Sequence, residues 1–508
     1  MTADRTTAVA DTPTPDWKDL PVAVAGLGIS GVPAARVLHG LGARVTVVEG
    51  GTGPRQQAQA EELRGLGVTV RLGDGESLPE GTRLVVTTPG WPPHSPLFAA
   101  AEAAGVQVWG DVELAWRLRA PLASTGEPAP WLAVTGTNGK TTTVQMLASI
   151  LTAAGRRTAA VGNVGVSVLD AVLAEEPYEV LAVELSSYQL HWAPSLRPHS
   201  AVVLNIAADH LDWHGSMDAY AADKGRIYEG NRVACVYNSA DPATEELVRA
   251  ADVEEGCRAV GFTLGAPTVS QLGVVDGLLV DRAFIDDRAD PSPTTTLAGA
   301  ASRRTYDTAA ELAAVADVQP PAPHNIADAL AAAALARAYG VEPRAVRDGL
   351  RAFRPDAHRI ARVTEVDGVV YIDDSKATNP HAAAASLAAY RPVVWIAGGL
   401  AKGADMDALV AGAAPRLRGA VLLGADRALI RTALARHAPE VPVIELPDGQ
   451  TGAPAMDAAV RAAAGLARPG DTVLLAPACA SMDMFSNYGE RGDLFAAAAL
   501  ALAERNTA

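Results

Sequence analysis

The chain has 508 residues, 49% of them hydrophobic and 20% charged, which excludes a fibre or a disordered chain and leaves room for about three domains with ample core. A formal net charge of -16 at pH 7 argues against non-specific binding to nucleic acid or membrane, since both need clustered Lys and Arg; phosphorylated ligands must be met by local basic residues. Cys235, Cys257 and Cys479 are far apart with no paired spacing, so neither a disulfide framework nor a zinc site is expected, and a reducing cytoplasm fits.

The first seventeen residues, MTADRTTAVADTPTPDW, lack the apolar core of a signal peptide and read as a flexible leader, and no later run is long and clean enough to span a bilayer. PVAVAGLGISGVPAARVLHGLGARVTVVEG then reads as strand, glycine turn, helix and strand. Gly26, Gly28 and Gly31 fit a dinucleotide fingerprint, and Glu49 closes the second strand where an acidic residue would hold a ribose. Such a fingerprint suits NAD, but also any other nucleotide. Thr88-Pro89-Gly90 ends a further strand, the edge at which ligands gather in open parallel sheets. A boundary follows at RAPLASTGEPAP, residues 119 to 130.

WLAVTGTNGKTTTVQMLASILTAAG, from Trp131, joins an apolar strand to a helix through Gly136, Thr137, Asn138, Gly139, Lys140, Thr141 and Thr142. Glycines let the backbone N–H groups converge, the helix N-terminus adds partial positive charge, Lys140 neutralises phosphate, and the Thr141 hydroxyl suits magnesium. The loop is shorter than the common nucleotide loop, with only Thr137 and Asn138 between Gly136 and Gly139. The strand YEVLAVE ends at Glu184, a candidate magnesium ligand or a cap, and is followed by Ser186, Ser187, Tyr188 and Gln189. AVVLNIAADH brings Asn205, Asp209 and His210 to the same edge; a lone His is usually structural, so His210 counts only with its neighbours. In SMDAYAADKGRIYEG, Ser216 can cap a helix on which Met217, Tyr220, Ala221, Ile227 and Tyr228 share a face with Lys224, which puts that lysine on the inward side, although a lysine there more often snorkels to solvent.

From Gly256 to Pro321 the chain carries little signal, and residues 286 to 305 read as a polar insertion. His324 and Asn325 open an Ala-rich packing helix, where Asn325 is a cap or a base contact. A second boundary lies near Arg354-Pro355. Beyond it, four short strands end in polar residues: Asp374-Ser375-Lys376-Ala377-Thr378-Asn379, Lys402, Asp426 and Ser481. Singly these are surface or capping residues; together they line one edge of a third parallel sheet. The expected architecture is therefore α/β in three domains: residues 1–120 with a Rossmann-like half, 121–355 a central P-loop ATPase-like parallel sheet, and 356–508 a third parallel sheet.

These motifs resemble the Mur ligases of bacterial cell-wall synthesis. The short GTNGKTT loop is shared across that family and with folylpolyglutamate synthetases. GNVG at 162–165, ELSSYQL at 184–190, NIAADHLD at 205–212, HN at 324–325, DDSKATNP at 373–380 and APACASMDMF at 476–485 are similar to the branch that adds D-glutamate. The likeness runs in order along nearly the whole chain. One departure is GGLAKG at 398–403, where Leu400 and Ala401 replace a frequent Asp-Gly before Lys402.

The resemblance implies an ATP-dependent ligase that joins D-glutamate to UDP-N-acetylmuramoyl-L-alanine through an acyl phosphate, working as a cytoplasmic monomer, and it makes residues 356–508 a second Rossmann-like domain. It places Gly28, Ile29, Ser30 and Glu49 near the uridine, Thr88 and Asn163 near its diphosphate, and Ser186 and His210 along the same substrate. Asn325, Arg359 and Asp374 would join the loop in holding ATP, and Lys376, Thr378, Lys402, Ser481 and Tyr488 would hold D-glutamate. It further implies two magnesium ions, held by Thr141, Glu184, His210 and an N6-carbamylated Lys224, and a site that assembles on domain closure. Two other classes account for less: a nicotinamide dehydrogenase leaves the loop at Gly136 idle, and a non-catalytic nucleotide-binding regulator has no use for the D-glutamate residues. Another amino-acid-adding ligase of the same family is the nearer alternative.

Overall fold

The computed structural model describes residues 14–285 and 309–507, so the polar segment expected at 286–305 lies outside the described residues. Its contacts divide the chain into two compact units, residues 1–318 with 327–353, and residues 319–326 with 354–508. The chain therefore passes between the units three times, at 318/319, 326/327 and 353/354.

The first unit holds two sheets. Strands β1 (Pro21–Ala25), β2 (Arg44–Glu49), β3 (Thr69–Leu72), β4 (Leu84–Thr87) and β5 (Gln107–Gly110) form a parallel sheet of order β3-β2-β1-β4-β5. Val22, Ala23, Val24 and Ala25 of β1 are buried on both faces, which is why this strand reads as a continuous apolar run rather than an alternating one. The second sheet has nine strands: β6 (Trp131–Thr135), β7 (Ala160–Gly162), β8 (Leu181–Glu184), β9 (Ser200–Val203), β10 (Ala234–Asn238), β11 (Arg258–Phe262), β12 (Gln271–Val275), β13 (Leu278–Asp281) and β14 (Ala310–Ala314), in the order β14-β13-β12-β11-β10-β9-β6-β8-β7. It is the parallel sheet expected from β7 to β12, and β13 and β14 add to it antiparallel at one edge. The tight turn at Asp276-Gly277, with Gly277 at φ +77°, makes a hairpin where no crossover helix is present to keep the direction. One apolar core runs through both sheets, from Trp17, Val24 and Trp109 to Trp131, Val183 and Ile227. The buried Glu113 carboxylate ties them further by accepting from Ser195 N at 3.0 Å.

The second unit is built on β15 (Ala361–Val366), β16 (Val369–Asp373), β17 (Val393–Gly398), β18 (Leu417–Leu423), β19 (Val443–Glu445) and β20 (Thr472–Leu475), ordered β15-β16-β20-β17-β18-β19. The four strands read from sequence are parallel, and β15 joins them antiparallel through the turn at Asp367-Gly368. Apolar clusters cover both faces, one containing Trp395 and Leu422, the other Tyr371, Val394 and Phe495. Among the described residues no helix is long and apolar enough to cross a membrane.

Candidate active site

The phosphate loop leaves β6 at Gly136 and enters the helix Lys140–Ala153 through Gly139 at φ +85°, a left-handed conformation that glycine adopts without strain. A Cβ on Gly136 would meet Leu204 Cβ at 2.9 Å, so the loop fits closely against the end of β9. Asn205, just past that end, clasps the loop: its Oδ1 accepts from Asn138 N at 2.9 Å and its Nδ2 donates to Asn138 O at 3.1 Å. Thr137 is held by Ala207 N, at 3.0 Å to its hydroxyl, and by Tyr220 OH, also at 3.0 Å. Lys140 Nζ donates to the carbonyls of Gly136 and Thr137, both at 2.9 Å, and so lies folded over the loop it closes. Thr142, one residue beyond the metal-ligand candidate Thr141, is buried in the first turn of the helix.

Glu184 ends β8 only 1% exposed. One carboxylate oxygen accepts from Thr141 Oγ1 at 2.9 Å and the other from Asn163 Nδ2 at 3.0 Å. Asn163, expected near a diphosphate, is thus in direct contact with Glu184, and its backbone N–H also reaches Glu184 O at 3.1 Å. The site's oxygens fit magnesium: a carboxylate and a hydroxyl converge, and such an ion completes its shell with phosphate oxygens and water. Among the described residues there is no group of three or more His, Cys, Asp or Glu placed to hold a metal ion.

Lys224 does point inward. It is 2% exposed on the helix Met217–Gly225, capped by Ser216, and its Nζ donates to Gly136 O at 2.9 Å and Thr135 Oγ1 at 3.4 Å. Burial first, and then the charge of Lys140, push its ammonium pKa well below the ordinary lysine value. His210, at φ +55°, stands half-exposed beside the Tyr188 ring, 5.0 Å between centroids.

A second layer was not visible in the sequence. Asp223 sits between His191 Nδ1 at 2.9 Å, His214 Nδ1 at 3.0 Å and Arg226 Nε at 3.2 Å, and His214 Nε2 reaches Ser187 Oγ at 2.9 Å. Burial raises the Asp223 pKa, but hydrogen bonds from His191 and His214 outweigh it and hold the carboxyl at about 2. The network joins the residue beside Lys224 to the helix Ser187–His191, whose N-cap Ser186 accepts from Gln189 N in a capping box.

In the first sheet, Glu49 turns one carboxylate oxygen onto the glycine turn, accepting from Leu27 N at 2.8 Å, and the other onto its own following loop, accepting from Gly51 N at 2.7 Å. A Cβ on Gly31 would meet Gly26 O at 2.0 Å, so that glycine is needed for the turn to close on its helix. Gly28 lies near the buried Thr88 side chain, Ile29 is 86% exposed at the tip, and Ser30 precedes the helix Gly31–Gly40.

In the second unit, Asp374 is buried, accepts from Ile360 N at 3.3 Å, and is bonded to Ser386 Oγ. Burial raises its pKa to about 6 against the pull of the nearby Arg359 charge. Asn325 is buried and donates to Pro320 O at 3.1 Å; residues 319–326 group with this unit although they fall within the expected central span. Lys376 Nζ lies 3.9 Å over the Tyr488 ring. Thr378 N donates to Lys376 O at 2.8 Å, tightening the turn that carries both. Leu400, at the replaced Asp-Gly position, exchanges backbone hydrogen bonds with Ala480, next to the buried Ser481, and Lys402 follows exposed at φ +51°. Arg491, wholly buried and unmarked in the sequence, donates to Ser375 Oγ at 3.0 Å, Ser375 O at 2.8 Å and Cys479 O at 3.1 Å. The structure thus brings together Gly136 to Thr142, Asn163, Glu184 and Lys224 in one unit, and places Asp374, Lys376 and Ser481 on loops and Tyr488 at the start of a helix in the other.

Residues 134–336 match the Mur ligase middle domain, and residues 358–479 match the Mur ligase, glutamate ligase domain. A UDP-N-acetylmuramoylalanine–D-glutamate ligase from Streptomyces avermitilis is 74% identical over 95% of this chain and 98% of its own length. The chain belongs to the Mur ligase family. A more distant ligase of the same name, from Mycobacterium bovis, is 47% identical over 97% of this chain and 98% of its own. Among solved structures, a UDP-N-acetylmuramate-alanine ligase from Thermotoga maritima superposes with a TM-score of 0.52 at 17% identity, covering 96% of this chain and 99% of its own, which establishes the shared Mur ligase fold.

Proposed function

We propose that this Mur ligase joins D-glutamate to UDP-N-acetylmuramoyl-L-alanine at the expense of ATP, a step in making peptidoglycan precursors. The observation that carries this reading is the 74% identity, spread over 95% of the chain, to a relative named for that reaction. A carboxylate is a poor acyl donor because oxide is a poor leaving group, so the alanine carboxylate is first phosphorylated by ATP. Lys140, released from Gly136 O and Thr137 O, stabilises the transferring phosphoryl group, and the loop amides hold the phosphates around it. The D-glutamate amine then attacks the acyl phosphate, a tetrahedral intermediate forms, and phosphate leaves.

Thr141 and Glu184 would hold one magnesium ion, with Asn163 fixing the orientation of the carboxylate. His210 and a carbamylated Lys224 would hold a second. Bound magnesium supplies positive charge to the phosphate oxygens as negative charge shifts onto the leaving group. The buried environment of Lys224 supports the carbamate, since it favours the neutral amine, the form that attacks carbon dioxide; the carbamate then offers anionic oxygen where an ammonium would repel the metal. Asn325, Arg359 and Asp374 contact ATP in this reading. Lys376 and Lys402 supply two cationic groups for a substrate with two carboxylates, alongside Thr378, Ser481 and Tyr488. Gly28, Ile29, Ser30, Glu49 and Thr88 receive the uridine diphosphate end, and Ser186 and His210 the remainder. The enzyme acts as a monomer in the cytoplasm in this reading.

The test is phosphate release from ATP with UDP-N-acetylmuramoyl-L-alanine and one amino acid at a time. D-Glutamate should be the only good acceptor; faster turnover with L-glutamate, lysine or diaminopimelate would overturn the substrate assignment while leaving the ligase.

A further inference from the structure

Cys235 and Cys257, separated by 22 residues in sequence, have their sulfurs 3.9 Å apart. The parallel register explains how: β10 and β11 pair Cys235 with Ala259, so Cys257, two residues before Ala259, projects from the same face of the sheet at the entry to β11. Cys235 is buried in the core of the first unit, whereas Cys257 is half-buried, packed on that core at the exit of the turn Glu255-Gly256. A disulfide requires the sulfurs to close to about 2.05 Å, roughly 1 Å of movement from each, and a turn residue can supply it.

We infer that Cys235 and Cys257 form a reversible oxidation site, with Cys257 as the attacking thiol, Cys235 as the resolving thiol and hydrogen peroxide as the oxidant. The asymmetry of the two sulfurs fits these roles. The contact between the two sulfurs, before any other influence, lowers the pKa of Cys257 and raises that of Cys235, and burial adds to the latter. The more exposed sulfur is therefore the one more readily present as thiolate, the nucleophilic form. The Cys257 thiolate attacks one peroxide oxygen, the O–O bond breaks, and the departing hydroxide takes a proton to give water. Cys257 is left as a sulfenic acid. The Cys235 thiol then loses its proton and attacks the Cys257 sulfur; the S–O bond breaks and a second water leaves. In total the two sulfurs lose two electrons, the peroxide oxygens gain two, and one disulfide and two waters result.

The third cysteine provides an internal reference. Cys479 belongs to the other unit and is buried, and burial raises its thiol pKa to about 12. Its reaction with peroxide should be slow.

The experiment treats the full-length protein with hydrogen peroxide, alkylates the remaining thiols, and maps them by mass spectrometry with and without a dithiol reductant. The expected result is loss of two alkylatable thiols, recovered as one intramolecular Cys235–Cys257 peptide pair that the reductant separates, with Cys479 still alkylated. In Cys235→Ser, Cys257 should accumulate as a sulfenic acid captured by dimedone; in Cys257→Ser, Cys235 should oxidise about tenfold more slowly than Cys257 does in the native protein. Three alkylatable thiols after treatment, oxidation of Cys479 as fast as Cys257, or cross-links only between molecules would each overturn the inference. The native protein decides the matter alone if either variant fails to fold.

Discussion

Lys224 occupies a position where an ordinary lysine would be a liability, since its ammonium is removed from water and set near the charge of Lys140. Lys224→Ala should therefore lose most ligase activity, by about a hundredfold or more if it supplies a metal ligand. Acetate at millimolar concentration should restore part of that activity by placing a carboxylate in the vacated space; equal activity with and without acetate, or an active magnesium-loaded enzyme whose Lys224 carries no carbon dioxide by mass, would remove the carbamate from the mechanism. Asp374 offers a pH-dependent counterpart. Its pKa is about 6 in the fold against an ordinary 3.8, so between those values the folded state holds a proton that the unfolded state releases. The resulting stabilisation is complete below about pH 4 and is lost as pH rises through 6. At pH 8 the buried carboxylate is a burden of up to about 3 kcal/mol relative to a neutral isostere. Asp374→Asn can still accept from Ile360 N and donate to Ser386 Oγ, so thermal unfolding should show it more stable than the native protein at pH 8, a difference that vanishes near pH 4, while ligation falls.

The helix Tyr488–Thr507 is coupled to two loops of its sheet by Arg491, and Ser375 Oγ donates to Tyr488 O at 2.7 Å to complete the link. Arg491→Lys keeps a positive charge but cannot present three donors in one fork. We expect the KM for D-glutamate to rise about tenfold or more while the KM for ATP changes little, measured as a split between the two substrates in steady-state kinetics. An equal change in both would reduce Arg491 to a general packing role. Such couplings explain what the sequence could and could not reveal. The phosphate loop was legible because Gly136 to Thr142 are contiguous and each residue type has a physical reason to be there, and Glu184 was legible because it ends a recognisably buried strand. The ends of β16, β17, β18 and β20 were legible for the same reason. Asp223 and His214 were not, since nothing local marks a carboxylate that will bridge two imidazoles, nor was Arg491, an arginine in an otherwise ordinary helix. The pair Cys235 and Cys257 was set aside on spacing, because their proximity depends on the register of β10 and β11. Strands β12 and β13 were missed although their apolar runs flank Asp276-Gly277, a pair that favours a hairpin turn, and the Ala-rich β14 carries no strand signal of its own.

At the scale of the whole molecule, residues 319–326 belong with the second unit although 27 further residues, 327–353, return to the first. Ala322 is 6% exposed in the cluster that includes Ile360, Ile372 and Trp395, so the segment contributes to that core. A fragment starting at Arg354 should consequently be less stable than the same fragment supplied with a peptide of residues 319–326; a thermal melt unchanged by saturating peptide would show the segment to be dispensable. The same threading has a consequence in time. On the ribosome the first unit cannot be completed until residue 353 has emerged, yet the segment 319–326 is already outside by then, with its eventual partners from 354 onward still inside the ribosome or untranslated. Ala322 and the buried Asn325 must wait, exposed, for the length of the last strand β20 to be translated, and any chaperone that recognises this nascent chain has its longest opportunity there.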